Sequence, residues 1–502
     1  MPVISKTTYC YISIFLFFFL SYGFFFQGGG WNQNGRICLT RAIIDYGTFS
    51  IDNYREDSPA MKFVNTGDWA FYNGHYYCNK SPGLSFLAVL PFACAQHVLK
   101  HVVHAQPEQQ VLYSAYVSNL CITVIMASLL CVLLFYTCHR LLDLGLGSSL
   151  LLTLFYGLGT LAFPYSTAFY CHQPAAFCLF AALVLAMHIR HSTSQKKHFL
   201  ALLGGFSGGM GILIEPSCIY LSAAIVLYLA YFKETRRYIP LFIAGCIPPG
   251  VIQVFYNFAC FGNPLASSYN YSNDLVMWKV NGKLFGIPRL QTIIQLLISP
   301  YRGVFFSSPV LLMALPGAFL FFKSSTWREE TVLCAGASLC LFILIASFFA
   351  WHGGSAPGPR YLLPVFPWWF LLSAMALKRF PKLFITAGLV SILINLCITV
   401  VGIEIPREIK NPLFEVIFRN LMAGRVSVNP VPFSNFKNYP DIYIIADIEK
   451  WQAIANLNSF NLGELLFPHR LVSIVPLLFF WLIWGVWWVK SASRVAIKSK
   501  KD

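Results

Sequence analysis

Five acidic side chains, Asp45, Asp52, Glu56, Asp57 and Asp68, fall between Trp31 and Pro82, interleaved with aromatic residues and closed by Lys80. In a chain of 502 residues with only 11% charged side chains, that density needs a chemical reason. Asp52 in FSIDNY and Asp68 in NTGDWAFYNGHYY are candidates for a general base or a metal ligand. Either task wants a carboxylate held in a partly dry site. The plainer use of both is turn chemistry, since Asp beside Asn or Gly caps turns.

Cations stand at comparable places. Lys80 in NKSPG sits where the chain returns to an apolar run. There an ammonium either snorkels to lipid headgroups or clamps a lipid phosphate. Arg360, followed by Tyr361, ends the Gly/Pro-rich turn WHGGSAPGPRY, and Arg302 lies in SPYRGVFF. Each arginine can simply anchor a helix end. Converging on one face, the two suit bidentate recognition of phosphate. His172, two residues ahead of Pro174, marks a helix start, and Glu215-Pro216 punctuates two apolar runs.

The elements that must position these residues are membrane spans. The chain is 57% hydrophobic and 17% aromatic, far from the roughly 25% charged composition of soluble domains. Apolar runs long enough to cross a bilayer lie near 9–26, 111–138, 148–166, 174–189, 198–214, 217–232, 238–257, 303–322, 331–350, 361–377, 382–403 and 470–489. The first reads as an uncleaved anchor, because no small-residue cleavage site follows it. Net charge is +16, and the basic clusters at 190–198, 233–237, 378–382 and 490–502 each follow an apolar run. That is the positive-inside pattern of cytoplasmic loops, with no nucleic-acid footprint.

Segment 84–103 decides the register. If it crossed, every later basic cluster would fall outside, so it reads as interfacial or re-entrant. About twelve spans then remain, with both termini cytoplasmic and every unusual polar stretch on the outer face. Three parts follow: a transmembrane core over 1–403, with 27–82 as its first outer loop; an outer loop or small subdomain over 404–469; and a last span with a basic tail over 470–502. Most of the 15 cysteines lie in apolar runs and act as small hydrophobes. Cys38 and Cys78 share the first loop and could pair.

The ordered set Gly67-Asp68-Trp69, Asn73-Gly74, Lys80-Ser81-Pro82-Gly83, Tyr256-Asn257, Phe261 to Pro264, Arg302-Gly303 and Gly353 to Tyr361 resembles the GT-C superfamily of membrane glycosyltransferases. Protein O-mannosyltransferases and aminoarabinose lipid A transferases are the nearest groups, and the match runs from about Trp31 to Leu377. The resemblance implies an all-α polytopic fold whose outer-face loops form the active site. It also implies inverting transfer of a sugar from a polyprenyl-phosphate-linked donor to a lipid, glycan or protein acceptor, on the outer face of the cytoplasmic membrane. Asp68, Asp52 and His172 are then the catalytic candidates. Lys80, Arg302, Arg360 and Tyr361 are the candidates for binding the lipid phosphate.

One departure matters. Where the family opens its first loop with an acidic pair, this chain reads Asn32-Gln33-Asn34-Gly35-Arg36, and the family's second acid falls at about His172-Gln173. A divalent metal therefore has no assured ligands, and no other cofactor is implied. The rival readings are a transporter or lipid flippase, which predicts mid-span ionisable groups and internal symmetry, and a non-catalytic GT-C-like protein.

Overall fold

The computed structural model describes residues 6–54, 66–193, 195–272, 284–324, 326–428, 459–468 and 470–498. Glu56, Asp57 and residues 429–458 of the loop 404–469 lie outside them. The chain is a mostly helical, multi-pass membrane protein. Among the described residues nine helices are long and apolar enough to cross a membrane. Four shorter apolar helices, Thr8–Gly23, Leu146–Gly159, Pro216–Tyr231 and Pro309–Phe322, accompany them.

Helix α1 (Lys6–Gly23) leads through strand β1 (Phe25–Gln27) into α2 (Trp31–Tyr46). The α2 sequence is polar, yet Asn32 to Ala42 are all buried, so it packs as a polar-site helix and not as a span. It stops at Gly47, whose φ of 64° is the left-handed cap that glycine adopts without a Cβ penalty. Strands β2 (Trp69–Tyr72) and β3 (His75–Cys78) form a hairpin with Trp69 opposite Cys78 and Tyr72 opposite His75. Its turn, Asn73-Gly74, has positive φ at both residues, the two-residue turn that matches strand twist. The expectation of a purely helical chain thus needs a small correction. Beside this hairpin, β1 pairs antiparallel with β4 (Ser459–Asn461). Cys38 and Cys78 are both buried thiols, not joined in a disulfide.

Helix α3 (Gly83–His101) covers the ambiguous segment and packs back on α4 (Pro107–Asn119). A π-helical turn over Leu120–Val124 joins α4 to α5 (Ile125–Tyr136). The Tyr116 hydroxyl donates to the Gly23 carbonyl at 2.6 Å, while the rings of Tyr11 and Phe135 are 5.8 Å apart. So α5 runs antiparallel to α1, and the α3–α4 hairpin sits at the end of the bundle where α1 finishes. By length and composition α3 would also be able to cross.

The bundle core holds α8 (His172–His191), α9 (Lys197–Ile214) and α11 (Ile239–Phe261). Gly205 and Gly245 let the backbones of α9 and α11 touch, the small-residue packing used between membrane helices. Behind them lie α15 (Arg328–Ser347), α16 (Phe366–Arg379) and α17 (Pro381–Val401). At the far end of α8, Arg190 Nη1 meets Glu330 Oε1 at 2.6 Å and Nη2 meets Glu329 Oε2 at 3.0 Å.

Candidate active site

The β2–β3 hairpin brings the polar ends of the opening loop together. Lys80 Nζ and Asp68 Oδ2 are 3.1 Å apart, with side chains only 9% and 12% exposed. Asp68 is held by its backbone: its N–H donates to Thr66 Oγ1 at 3.0 Å, and Asn79 N–H donates to its carbonyl at 3.4 Å. Lys80 Nζ also lies 5.4 Å from the centre of the Tyr269 ring.

A second group is built from three distant stretches. Arg360 Nη1 donates to the Tyr170 hydroxyl at 2.9 Å, and that hydroxyl donates to Glu404 Oε1. Gly353 and Gly354, with φ of 72° and 65°, fold the preceding turn over the Arg360 side chain. A Cβ at Gly353 would come within 3.3 Å of Arg360 Nε. Burial pushes the Glu404 carboxyl up to about 7 against the pull of Arg360, the largest opposing influence.

The third group sits at the start of α8. Cys171 Sγ donates to Glu215 Oε2 at 2.9 Å, and His172 Nδ1 is 3.6 Å from both that oxygen and Cys171 Sγ. The donor atoms of Cys171, His172 and Glu215 all lie within 4.8 Å of one another. Aromatic rings stitch the second and third groups together. His172 stacks on Tyr170 at 5.8 Å and meets Tyr361 edge-on at 5.8 Å, and Arg360 is 5.6 Å from the Tyr361 ring. The charges of Arg360, Arg36 and Lys80 all reach His172, and that of Asp68 reaches Glu404.

Two nitrogen atoms in this assembly, Arg360 Nε and His172 Nε2, are buried without a hydrogen-bond partner among the described residues. Such a group costs about 1–3 kcal/mol when left unmet. A ligand that accepts from Arg360 and engages His172 would recover that cost.

Of the residues singled out in the sequence, Lys80, Asp68, His172, Arg360 and Tyr361 meet here. Arg302 and Asp52 have other work. Arg302 is fully buried and donates to the carbonyls of His352, Tyr301 and Gly354 at 2.8, 2.9 and 2.9 Å. Burial pulls its pKa down to about 10. It fixes the turn that presents Arg360. Asp52 binds His75 Nδ1 and the Tyr76 N–H, both at 2.7 Å, on the outer edge of the hairpin, where it is 37% exposed. It locks the strand that precedes Lys80.

The positions of the missing acidic pair are structural. Gln33 donates to the carbonyls of Gln27 and Gly29 and accepts from Phe169 N–H at 3.0 Å. Arg36 donates from Nη1 to the Ser81 carbonyl at 3.1 Å. Glu404, Tyr170 and Cys171 carry no weight in the sequence reading, and Glu215 reads there as punctuation. The available signal was a carboxylate at the very end of an apolar run, as in 382–403 and 198–214, in a chain with 20 acids.

No protein-family model matches the chain, and no curated protein does. Among solved structures it is similar to ArnT from Cupriavidus metallidurans bound to undecaprenyl phosphate, at 12% identity and a TM-score of 0.47, over 78% of this chain and 64% of that one. The apo form gives 14% identity and 0.49, over 78% and 62%. The Archaeoglobus fulgidus oligosaccharyltransferase in its apo form gives 12% and 0.45, over 89% of this chain and 56% of that one. The chain thus spans less than two thirds of the length of each.

Proposed function

We propose that the protein is a membrane glycosyltransferase that moves a sugar from a polyprenyl-phosphate-linked donor to an acceptor hydroxyl or amine. One observation carries this reading. Arg360–Tyr170–Glu404 and Cys171–His172–Glu215 join through the stacked rings of Tyr170, His172 and Tyr361, and the buried Lys80–Asp68 pair lies within electrostatic reach of both. A site at the end of a helical bundle, with two cations and unmet buried nitrogens, suits a lipid whose anionic head lies at the interface. A transporter would need ionisable groups at mid-span, and a scaffold would leave the cations without purpose.

The roles follow from chemistry. The lipid phosphate competes with Asp68 for Lys80 and takes the Arg360 guanidinium. Asp68, released from its ion pair, accepts the proton of the acceptor as the acceptor oxygen or nitrogen bonds to the anomeric carbon. The bond from that carbon to the phosphate oxygen breaks, and the electron pair leaves on the phosphate. Charge on the leaving group grows in the transition state, so Arg360 and Lys80 stabilise that state more than the bound donor. Tyr361 and His172 pack edge-on against each other beside Arg360. Arg302 and Asp52 are assigned positioning roles.

The donor set Cys171, His172 and Glu215 fits a divalent metal, a thiolate–imidazole–carboxylate combination of the kind zinc takes. Burial and Glu215 both push the Cys171 thiol up, so a thiolate there needs a nearby cation. When bound, such an ion would act as a Lewis acid toward the phosphate. The active site is assigned to the outer face of the cytoplasmic membrane by the positive-inside pattern.

Lipid extraction from a strain lacking this protein tests the reading. Accumulation of a sugar-phosphate polyprenol is expected. An unchanged pool, alongside loss of transport of some solute, would replace the enzyme with a transporter.

A further inference from the structure

The Arg360 guanidinium is engaged before any ligand arrives. Its Nη1 donates to the Tyr170 hydroxyl at 2.9 Å, and that hydroxyl donates in turn to Glu404 Oε1. All three side chains are buried. The groups whose charge bears most on Arg360 are the phenols of Tyr170, Tyr361 and Tyr165 and the Glu404 carboxyl. Phenols are neutral at pH 7. Glu404 is therefore the anion that balances this cation, and it does so across the tyrosine.

Glu404 is closely hemmed in. Gly30, at a φ of 89°, comes so near that a Cβ there would strike the carboxyl group. The Gln33 side chain reaches the same group. Two charges bear on it: Arg360 favours the anion, and Asp68 opposes it. The Tyr165 phenol faces both Glu404 and Arg360. Burial outweighs the pull of Arg360 and lifts the carboxyl to about 7, so the balance is close even with the guanidinium in place.

A phosphate that takes Arg360 upsets this balance. The guanidinium then serves a second anion, and Asp68, released from Lys80, adds its own negative charge. A carboxylate left buried without its cation is neutralised in preference to staying charged. We propose that Glu404 and Tyr170 are positioning residues for the lipid phosphate: Glu404 holds the Arg360 guanidinium through the Tyr170 hydroxyl at rest, and takes up a proton from solvent as the phosphate displaces it. This inference rests on the donor class proposed above.

The hydrogen bonds then reverse with each side chain in its place. The protonated Glu404 carboxyl donates to the Tyr170 oxygen, and the Tyr170 O–H turns from Glu404 to a phosphate oxygen. The head-group site thereby gains a neutral donor beside Arg360. Solvent supplies the proton, Glu404 carries it while phosphate is bound, and it returns to solvent when the phosphate leaves. Because the bound state holds the extra proton, affinity falls as pH rises past the carboxyl pKa, by up to about tenfold per pH unit.

The test is calorimetric titration of the full-length protein in detergent with undecaprenyl phosphate at pH 8, in buffers of different ionisation enthalpy. The dependence of the observed heat on the buffer counts the protons taken up. About one is expected for the wild type, and Glu404→Gln should abolish it. From pH 7 to pH 9 wild-type affinity should fall by about tenfold or more. Glu404→Gln should stay nearly level and bind more tightly than wild type at pH 9, because its amide donates to the Tyr170 oxygen as the protonated acid does. A damaged site would lose affinity, so a gain separates this role from a structural one. The second ionisation of the phosphate monoester, near ~6, is common to both proteins and cancels in the comparison. If the wild type binds with neither proton uptake nor a pH slope, or if Glu404→Gln keeps both, the inference falls while the donor class stands. If the wild type binds no polyprenyl phosphate at any pH, the donor class falls and this inference with it.

Discussion

Asp68 and Asp52 show how two carboxylates of one loop part company. Asp68 is buried against Lys80, whereas Asp52 spends both oxygens on the hairpin. Asp68→Asn should therefore lower transfer by about 10²–10⁴-fold, the range of a lost general base, and Asp52→Asn by less than about tenfold. Single-turnover rates at saturating donor would check the order, and a larger loss at Asp52 would reverse the assignment. Glu404 gives a pH signature. Its folded pKa of about 7 lies above the ordinary carboxyl value of 4.5, so the folded state binds the extra proton between those values. Stability contributed by the protonated form is full at and below pH 4.5 and is lost as pH rises toward 7. Glu404→Gln should remove that fall, raising thermal stability at pH 8 relative to wild type and narrowing the difference near pH 5. Parallel melts in detergent decide it; a constant difference across pH would show that Glu404 stays charged. Sequence reasoning found Asp68 and Lys80 because a hairpin makes them local. It missed Glu404, because the contact with Tyr170 spans 234 residues and no periodicity announces it.

At the scale of elements, apolar length alone placed nearly every helix. The runs read at 174–189 and 198–214 are α8 and α9 within a few residues, because a helix in lipid must satisfy its backbone internally. What apolar length could not convey was the hydrogen-bonded detail. The β1–β4 pairing joins residues at opposite ends of the chain, and the burial of polar α2 depends on the hairpin packed against it. Arg302 is the clearest case: its type and place suggested a phosphate ligand, but three backbone carbonyls around it take one donor from each of its nitrogens. The junction of α3 with α9 yields the third prediction. Gly83→Ala puts a methyl group against backbone, which cannot rotate away, so α3 must shift at its first turn. We expect normal expression with polyprenyl phosphate affinity lowered by about tenfold. Affinity equal to wild type would mean that the position of α3 does not matter to the head-group site.

The molecule as a whole has polar chemistry at both ends. The candidate site caps one end of α8. The Arg190–Glu330 pair lies at the other, with Arg190 18 residues from His172, or about 27 Å. Topology follows from this separation: His191, Lys233 and Lys378 should face the cytoplasm, while the α3–α4 hairpin stays with the candidate site. Single-cysteine labelling in a cysteine-free background tests it, and labelling of position 191 from outside would place the site on the wrong face for an outer-leaflet acceptor. The central claim is that the buried cations hold a lipid phosphate, and this can be measured without knowing the sugar. Undecaprenyl phosphate should bind purified wild-type protein saturably, and both Arg360→Ala and Lys80→Ala should lose at least about tenfold in affinity while remaining folded. Arg360→Lys, which keeps the charge and loses the planar fork, should fall between them and wild type. Equal affinity in Arg360→Ala and wild type would contradict the account.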